Sequence, residues 1–510
     1  MRGKAGIFIG RLGILLFFVL ICQANLFHYN YRMNADIASE ALLGQAIWNS
    51  KQWVPDMWYP STEVRLIGTA NLSALFYGLC GSLKLAMGLA CVVFVLWNIL
   101  EIAYLFKEAE GVKRYCPFLI LLMLALPADY SLLEVLYLFA GYYAVHTAVL
   151  FFTLGVYGGS LRRKKFKAGE WFLSVCLAFL LGMQGARGLL VIYGPLLAVE
   201  VIRCGAVLWA GKRLKQADWM IGIWVLMNCL SNFLGSRLPI SAGVDFSRNI
   251  RKGLYKLWKV VVPDIVGIMG GHSSGVPGRI CLGILLINAV VILFAILYKI
   301  WKKRELEAME WIYLVVCASP VMTALMVAFT TVESTGRYYF VFLAVLSLAA
   351  VMLLARQEKN LMPVKVICWA AAGFLMVGNL FHLYVPMMKS KEPPENDYKA
   401  VVDFLKENDY LLAYASFENA NTMTLVSDGE VRVAPAASVE KMDICKWLSS
   451  KEWYPPEISR DQVTAYVVTE SQMPEFFVFL QDKEDEIKRI WQTGKFHIYV
   501  SDYNYANIED

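Results

Sequence analysis

Two carboxylates stand in NADIASEALLGQAIWNSKQWVP, residues 34–55, directly after the first long apolar run of the chain: Asp36 and Glu40. Their four-residue spacing puts both on one face of a helix. Apolar Ile37, Leu42 and Ala46 to Trp48 predict that this helix is amphipathic and lies along a membrane interface. A carboxylate just above a bilayer can act as general base, taking the proton of an acceptor hydroxyl or amine as it attacks an activated sugar carbon. The competing reading makes Asp36 a helix cap and Glu40 a solvated acid. Further on, WYPSTEVR adds Trp58, Tyr59, Glu63 and Arg65, groups common to membrane-surface sugar sites and to ordinary interface belts.

The candidate cations come later in the chain. Arg337 opens the late apolar run in ESTGRYYFVFLAVLSLAAVML, residues 333–353. A guanidinium there matches a lipid phosphate with two parallel charge-assisted hydrogen bonds, or else snorkels to the interface; Tyr338 and Tyr339 read as belt aromatics. Arg187, in GMQGARG, is expected at the outer end of its span, within reach of a phosphate. Other ionisable residues in apolar runs are Glu101, Glu134, His146 and Glu200, with Glu101 and Glu200 near cytoplasmic ends. In loop 237–278, Arg248, Arg251, Lys252, Lys256 and Lys259 alternate with Leu254, Leu257 and Trp258, which predicts a basic amphipathic helix that attracts an anionic lipid carrier. Gly270, Gly271, Gly275 and Gly278 around His272 predict a segment that orders over bound substrate. His272, the one histidine of that loop, also reads as an ordinary loop residue.

The elements that must position these groups are membrane spans. Of 510 residues, 58% are hydrophobic and 18% charged, in apolar runs long enough to cross a bilayer. Spans are predicted at 7–27, 84–106, 115–129, 132–157, 170–187, 189–210, 218–236, 279–300, 311–330, 338–356 and 363–386. The segment 67–83 suits a partly embedded outer helix. With the N-terminus inside, each cytoplasmic loop is basic, as at Arg162/Arg163/Lys164/Lys165/Lys167 and Lys212/Arg213/Lys215. The net charge of +6 is therefore a topology signal, and nucleic acid is excluded as a partner. The expected fold is a polytopic α-helical membrane protein of about 11 transmembrane helices, in the plasma membrane, with a small extracytoplasmic α/β domain. Residues 1–388 form the membrane domain with outer loops 28–66 and 237–278, and 389–510, after the linker KSKEPPEND, form the soluble domain. The 11 cysteines show no metal or disulfide spacing, and the N-terminal run reads as an uncleaved span. No P-loop, GxSxG elbow, HExxH or dinucleotide fingerprint is present.

A first outer loop carrying acids, followed by an interfacial helix ending in an aromatic and a proline, resembles the GT-C class of membrane glycosyltransferases, which contains protein mannosyltransferases and aminoarabinose transferases. The start GRYY of the late span is similar to that class as well. The resemblance implies a polyprenyl-phosphate sugar as donor, with no tightly bound cofactor and a divalent cation as an option. It implies an acceptor that is a glycan, lipid or protein of the cell envelope. It makes Asp36 of NAD the catalytic base, and it departs from the commonest pattern in that Ile37, not a second acid, follows. On this reading Glu40 orients the acceptor or a cation, and Arg337 with Arg187 holds the donor phosphate. An envelope glycan polymerase or ligase would lean on the arginines and His272 of loop 237–278. A scaffold would use the same acids for binding, and a transporter would need charged or broken helices near the bilayer midplane.

Overall fold

The structure, a computed structural model, describes residues 2–107, 112–163, 166–238, 247–248, 250–271, 275–390, 397–454 and 460–507. His272, Lys164, Lys165 and the linker residues 391–396 lie outside the described residues. Among the described residues nine helices are long and apolar enough to cross a membrane: Gly6–Phe27, Leu83–Leu105, Ala144–Arg163, Leu189–Trp209, Gln216–Gly235, Gly275–Trp301, Ala308–Ala328, Gly336–Ala355 and Lys359–Lys389. Ala168–Gln184 is apolar but, at 17 residues, shorter. The protein is a multi-pass membrane protein.

Two of the expected spans take another form. The run expected at 115–129 is helical only over Cys116–Ala125, 10 residues that rise about 15 Å, half a hydrocarbon core. Pro127 follows, and Asp129 then accepts from Ser131 N at 2.7 Å to cap the short helix Tyr130–Leu136. The chain turns through Phe139 and Gly141, with φ of 58° and 53°, before Ala144–Arg163 begins. The expected span 132–157 is therefore two helices joined by a left-handed turn.

The chain divides into two compact units that cut the sequence differently from a boundary at 388: residues 1–22 with 93–386, and residues 23–92 with 387–510. In the first unit, polar side chains bond across apolar helices, which strengthens close helix packing in lipid. Asn232 Nδ2 donates to Ala178 O at 2.8 Å, Ser231 Oγ to Val175 O at 2.9 Å, and Trp224 Nε1 to Ser174 Oγ at 2.9 Å. Gly182 makes the approach possible, since a Cβ there would lie 2.0 Å from Asn232 O. Arg203 ties three helices: it donates to Glu200, which also accepts from Tyr157 at 2.8 Å, and to Asp218 at 2.7 Å.

The second unit combines the first outer loop with the C-terminal residues. The loop holds the helices Ala35–Ser50 and Thr69–Cys80 and the short strand β1 (Trp58–Tyr59). The C-terminal part supplies β2 (Leu412–Ser416), β3 (Arg432–Ala436), β4 (Ser449–Ser450), β5 (Thr464–Thr469), β6 (Lys488–Thr493) and β7 (Phe496–Ser501). A five-stranded mixed sheet runs β3-β2-β5-β7-β6, parallel across β3, β2 and β5 and antiparallel from β5 to β6. Central β5 is buried along its whole length, and apolar clusters cover both faces of the sheet, one around Tyr414, Tyr466 and Phe476, the other around Val401, Met423 and Val467. β1 pairs antiparallel with β4, Trp58 opposite Ser450, and Lys451 N donates to Met57 O at 2.8 Å. The outer loop is thus stitched to the C-terminal sheet domain by backbone hydrogen bonds.

Candidate active site

Ala35–Ser50 forms where the outer acids require a helix, and Asn34 caps it: its side chain accepts from Ile37 N at 3.0 Å. That leaves Asp36 in the first turn, half-buried, with no capping task. The interfacial amphipathic helix is not what forms. Ile37, Ala38, Ser39, Glu40, Ala41 and Leu42 are all buried, right around the helix, because Thr69–Cys80 packs on one side and Phe417–Val426 of the C-terminal domain on another. Gly44 faces Ser73 so closely that a Cβ would lie 2.2 Å from its Oγ.

Glu40, Glu63 and Arg65 come together. Arg65 donates through Nε and Nη2 to Glu40 Oε1 at 2.8 and 2.7 Å, and through Nη1 to Glu63 Oε2 at 2.8 Å. The three side chains are 5%, 8% and 11% exposed, Arg65 being the last, so this is a buried triad and not a solvated face. Asn71 Nδ2 donates to Arg65 O at 2.9 Å and Trp53 Nε1 to Leu66 O at 2.8 Å, fixing the backbone that carries the arginine. Tyr29 lies against the same acid; burial pushes its hydroxyl well above the ordinary tyrosine range, and Cys91 and Glu40 add to the effect. Trp58, which the sequence leaves open between a sugar site and an interface belt, is buried and packs edge-on against Trp453, ring centres 6.4 Å apart.

The two arginines assemble in the other unit on adjacent tyrosines. Arg337 sits in the single turn Gly336–Tyr339, where Nη1 donates to Tyr142 OH at 2.9 Å. Arg187 sits at the start of the helical run after the break at 185–186, its Cζ 3.9 Å from the Tyr143 ring centre and 5.2 Å from that of Tyr338. Tyr142 and Tyr143 meet edge-on at 5.2 Å. An aromatic face holds a guanidinium by its plane, while the N–H donors lie in that plane and address an acceptor at the edge. Two cations so mounted can grip a phosphate oxygen set. Tyr338 therefore belongs to the cluster, whereas Tyr339 is fully buried, bonded to Ser334 at 3.0 Å, and is not a belt residue.

Tyr142 and Tyr143 were not singled out by sequence, because they fall inside an expected continuous span; Gly141 of FAGYY was the available signal of a break. In loop 237–278 the helix Ile250–Lys256 runs on through widened turns to Gly271. Its Lys256 is not a lipid-facing cation: Nζ donates to Thr330 O at 3.0 Å and to Val332 O, and burial lowers its pKa against the opposing pull of Glu333. Arg251, Lys252, Lys259, Leu254 and Trp258 remain exposed. Among the described residues no group of three or more His, Cys, Asp or Glu is arranged to hold a metal ion.

No family model matches the sequence, and no curated protein does. Solved structures do. The chain is similar to ArnT from Cupriavidus metallidurans in the apo state, at 10% identity and a TM-score of 0.55, over 97% of this chain and 98% of that one. The fold is shared with ArnT. The same protein solved bound to undecaprenyl phosphate matches at 12% identity and a TM-score of 0.54, over 98% of each chain. The resemblance to the GT-C class, read from the acids of the first loop and from Arg337, is met at the level of the ArnT-like fold, C-terminal domain included.

Proposed function

We propose that this chain is an integral-membrane glycosyltransferase that moves a sugar, a hexose or pentose, from a polyprenyl-phosphate donor to an acceptor on the outer face of the plasma membrane. One observation carries the reading: the fold matches, over nearly the whole length of both chains, a protein solved with undecaprenyl phosphate bound. Asp36 is the general base. It receives the proton of the acceptor hydroxyl or amine as that atom bonds to the anomeric carbon. The bond from that carbon to the phosphate oxygen breaks, and the polyprenyl phosphate leaves with the electron pair. Arg337 and Arg187 balance the charge that develops on it, a task for which a planar fork of donors suits a phosphate better than a point charge. Glu40, tied to Arg65, orients the loop that carries Asp36. The N-terminus is cytoplasmic, and residues 389–510 form the extracytoplasmic domain that selects the acceptor, a glycan, lipid or protein of the envelope.

The test is transfer from a radiolabelled polyprenyl-phosphate sugar pool by purified protein, wild type against Asp36→Asn. Loss of a general base lowers turnover by roughly 10²- to 10⁴-fold. Because Asn34 caps the helix, thermal unfolding of the variant should match wild type. Equal activity in the two proteins removes Asp36 as the base; no transfer from any polyprenyl-phosphate donor removes the glycosyltransferase reading.

A further inference from the structure

The helices that start beside Tyr143 and Arg187 end in a second cationic feature. Leu189–Trp209 spans 21 residues, about 30 Å of rise, so its far end lies one hydrocarbon thickness from the arginine cluster. There a cavity of about 720 Å³ opens between the end of Ala144–Arg163, the loop 210–215 and the loop 302–307. Its size is that of a small-molecule site.

Arg162, at the end of Ala144–Arg163, lines this cavity half-buried, and the six other cations divide into two sets. Arg203, 5% exposed, is held by Glu200 and Asp218, and Lys212 pairs with Glu305 at 2.5 Å. Arg213, Lys215, Lys303 and Arg304 line the cavity from two different loops and are exposed. Among the described residues Arg213 and Arg304 enter no ion pair. Between the loops the walls are apolar helix surface, Val207, Ile221 and Ile300. Trp209, Trp219 and Trp301, each next in sequence to a lining residue (Ala210, Asp218 and Ile300), are exposed, as aromatics are at the headgroup level of a bilayer.

Basic loop ends alone serve topology. Convergence of two loops on one cavity with apolar helix surface between them is a different arrangement, and basic pockets of this kind between membrane helices hold anionic headgroups. We propose that this cavity binds an anionic phospholipid in the leaflet opposite the Arg187–Arg337 end. Arg213 and Arg304 grip the phosphodiester, and the acyl chains run along Val207, Ile221 and Ile300. The apolar walls favour a lipid over free phosphate as the occupant.

The test uses the full chain in nanodiscs of phosphatidylcholine with increasing phosphatidylglycerol, following thermal unfolding and the number of phosphatidylglycerol molecules retained in native mass spectra. Wild type should show saturable stabilisation and retain at least one phosphatidylglycerol. The double variant R213Q/R304Q, which leaves the Arg203 and Lys212 ion pairs intact, should melt as wild type does in pure phosphatidylcholine. Its half-saturating phosphatidylglycerol content should rise about 25-fold, as expected for two surface charges each contributing roughly a factor of five. Equal response to both lipids, or an unchanged response in the variant, overturns the proposal. Stabilisation of the same size by millimolar inorganic phosphate in pure phosphatidylcholine overturns the lipid assignment.

Discussion

Replacing Arg65 with methionine tests whether the outer loop is held by its buried triad. Methionine keeps most of the side-chain length and removes the charge, so Glu40 and Glu63, at 5% and 8% exposure, lose the guanidinium that both bond. Glu40 loses both hydrogen bonds at Oε1, and its Oε2 has no hydrogen-bond partner among the described residues to compensate. Breaking a buried pair by removing one partner costs about 3–5 kcal/mol. A Coulomb estimate agrees: at an effective dielectric of about 20 and roughly 4 Å between charge centres, each contact contributes about 4 kcal/mol before desolvation. The unit concerned has roughly 200 residues, for which 1 kcal/mol shifts the melting temperature by about 2–4 °C. Arg65→Met should therefore lower the unfolding temperature of the detergent-purified protein by about 10 °C, read by tryptophan fluorescence. Glu63→Gln keeps an acceptor for Arg65 and should lower it by less, about 2–4 °C for a cost of about 1 kcal/mol, because Arg65 still neutralises Glu40. If Arg65→Met melts within 2 °C of wild type and instead raises the KM for donor, Arg65 is a substrate ligand and the triad does not hold the loop; with the unfolding temperature lowered, the same KM effect has no such meaning.

Other consequences follow from the same structure. Arg337→Lys keeps a charge but loses the fork, so the KM for a polyprenyl-phosphate sugar should rise about 10- to 100-fold, the loss of one charge-assisted hydrogen bond; an unchanged KM in steady-state transfer assays would remove Arg337 from the phosphate site. Gly182→Ala should destabilise the first unit by more than a surface substitution does, since its Cβ would fall 2.0 Å from a backbone oxygen; detergent thermal shift is the measurement, and a melting temperature equal to wild type would contradict the close helix approach. Cys80 is exposed at the end of Thr69–Cys80, so a membrane-impermeant maleimide should label it in intact cells if this face is outside; an introduced Arg213→Cys should label only after permeabilisation. Cys445, in the C-terminal domain, is buried and its thiol is pushed up by that burial, so it should resist alkylation in the folded protein across pH 7–8 and react on unfolding.

The membrane class and most spans were legible in the sequence because lipid allows so few solutions: a run of about 20 apolar residues has to be a helix when its backbone groups find no water. Failures came where the run was long enough on paper but carried a local instruction to stop. Pro127 ends one helix and Asp129 starts another, and Gly141 with Phe139 turns the chain where hydropathy reads an unbroken span. The sheet domain was legible as strands and helices, yet its partnership with the first outer loop was not. Two-residue β1 has no periodicity to recognise, and its pairing with β4 joins positions almost 400 residues apart.

The chemistry of the outer acids shows what spacing can and cannot give. Asp36 and Glu40 share a helix face, as four-residue spacing requires, but the same face says nothing of which charge each will meet. Arg65 reaches Glu40 across 25 residues because the chain between them turns back, and Asn71 and Trp53 clamp the backbone that presents it. The proposed function divides the labour accordingly: Glu40, engaged at Oε1 and buried, is the positioning group, while Asp36, half-buried and with Asn34 as the helix cap, is the base. The proposed transfer needs both, since proton abstraction by a carboxylate depends on geometry before it depends on basicity. On the proposed reading the packing that buries this helix holds its first turn, and Asp36 with it, in one place.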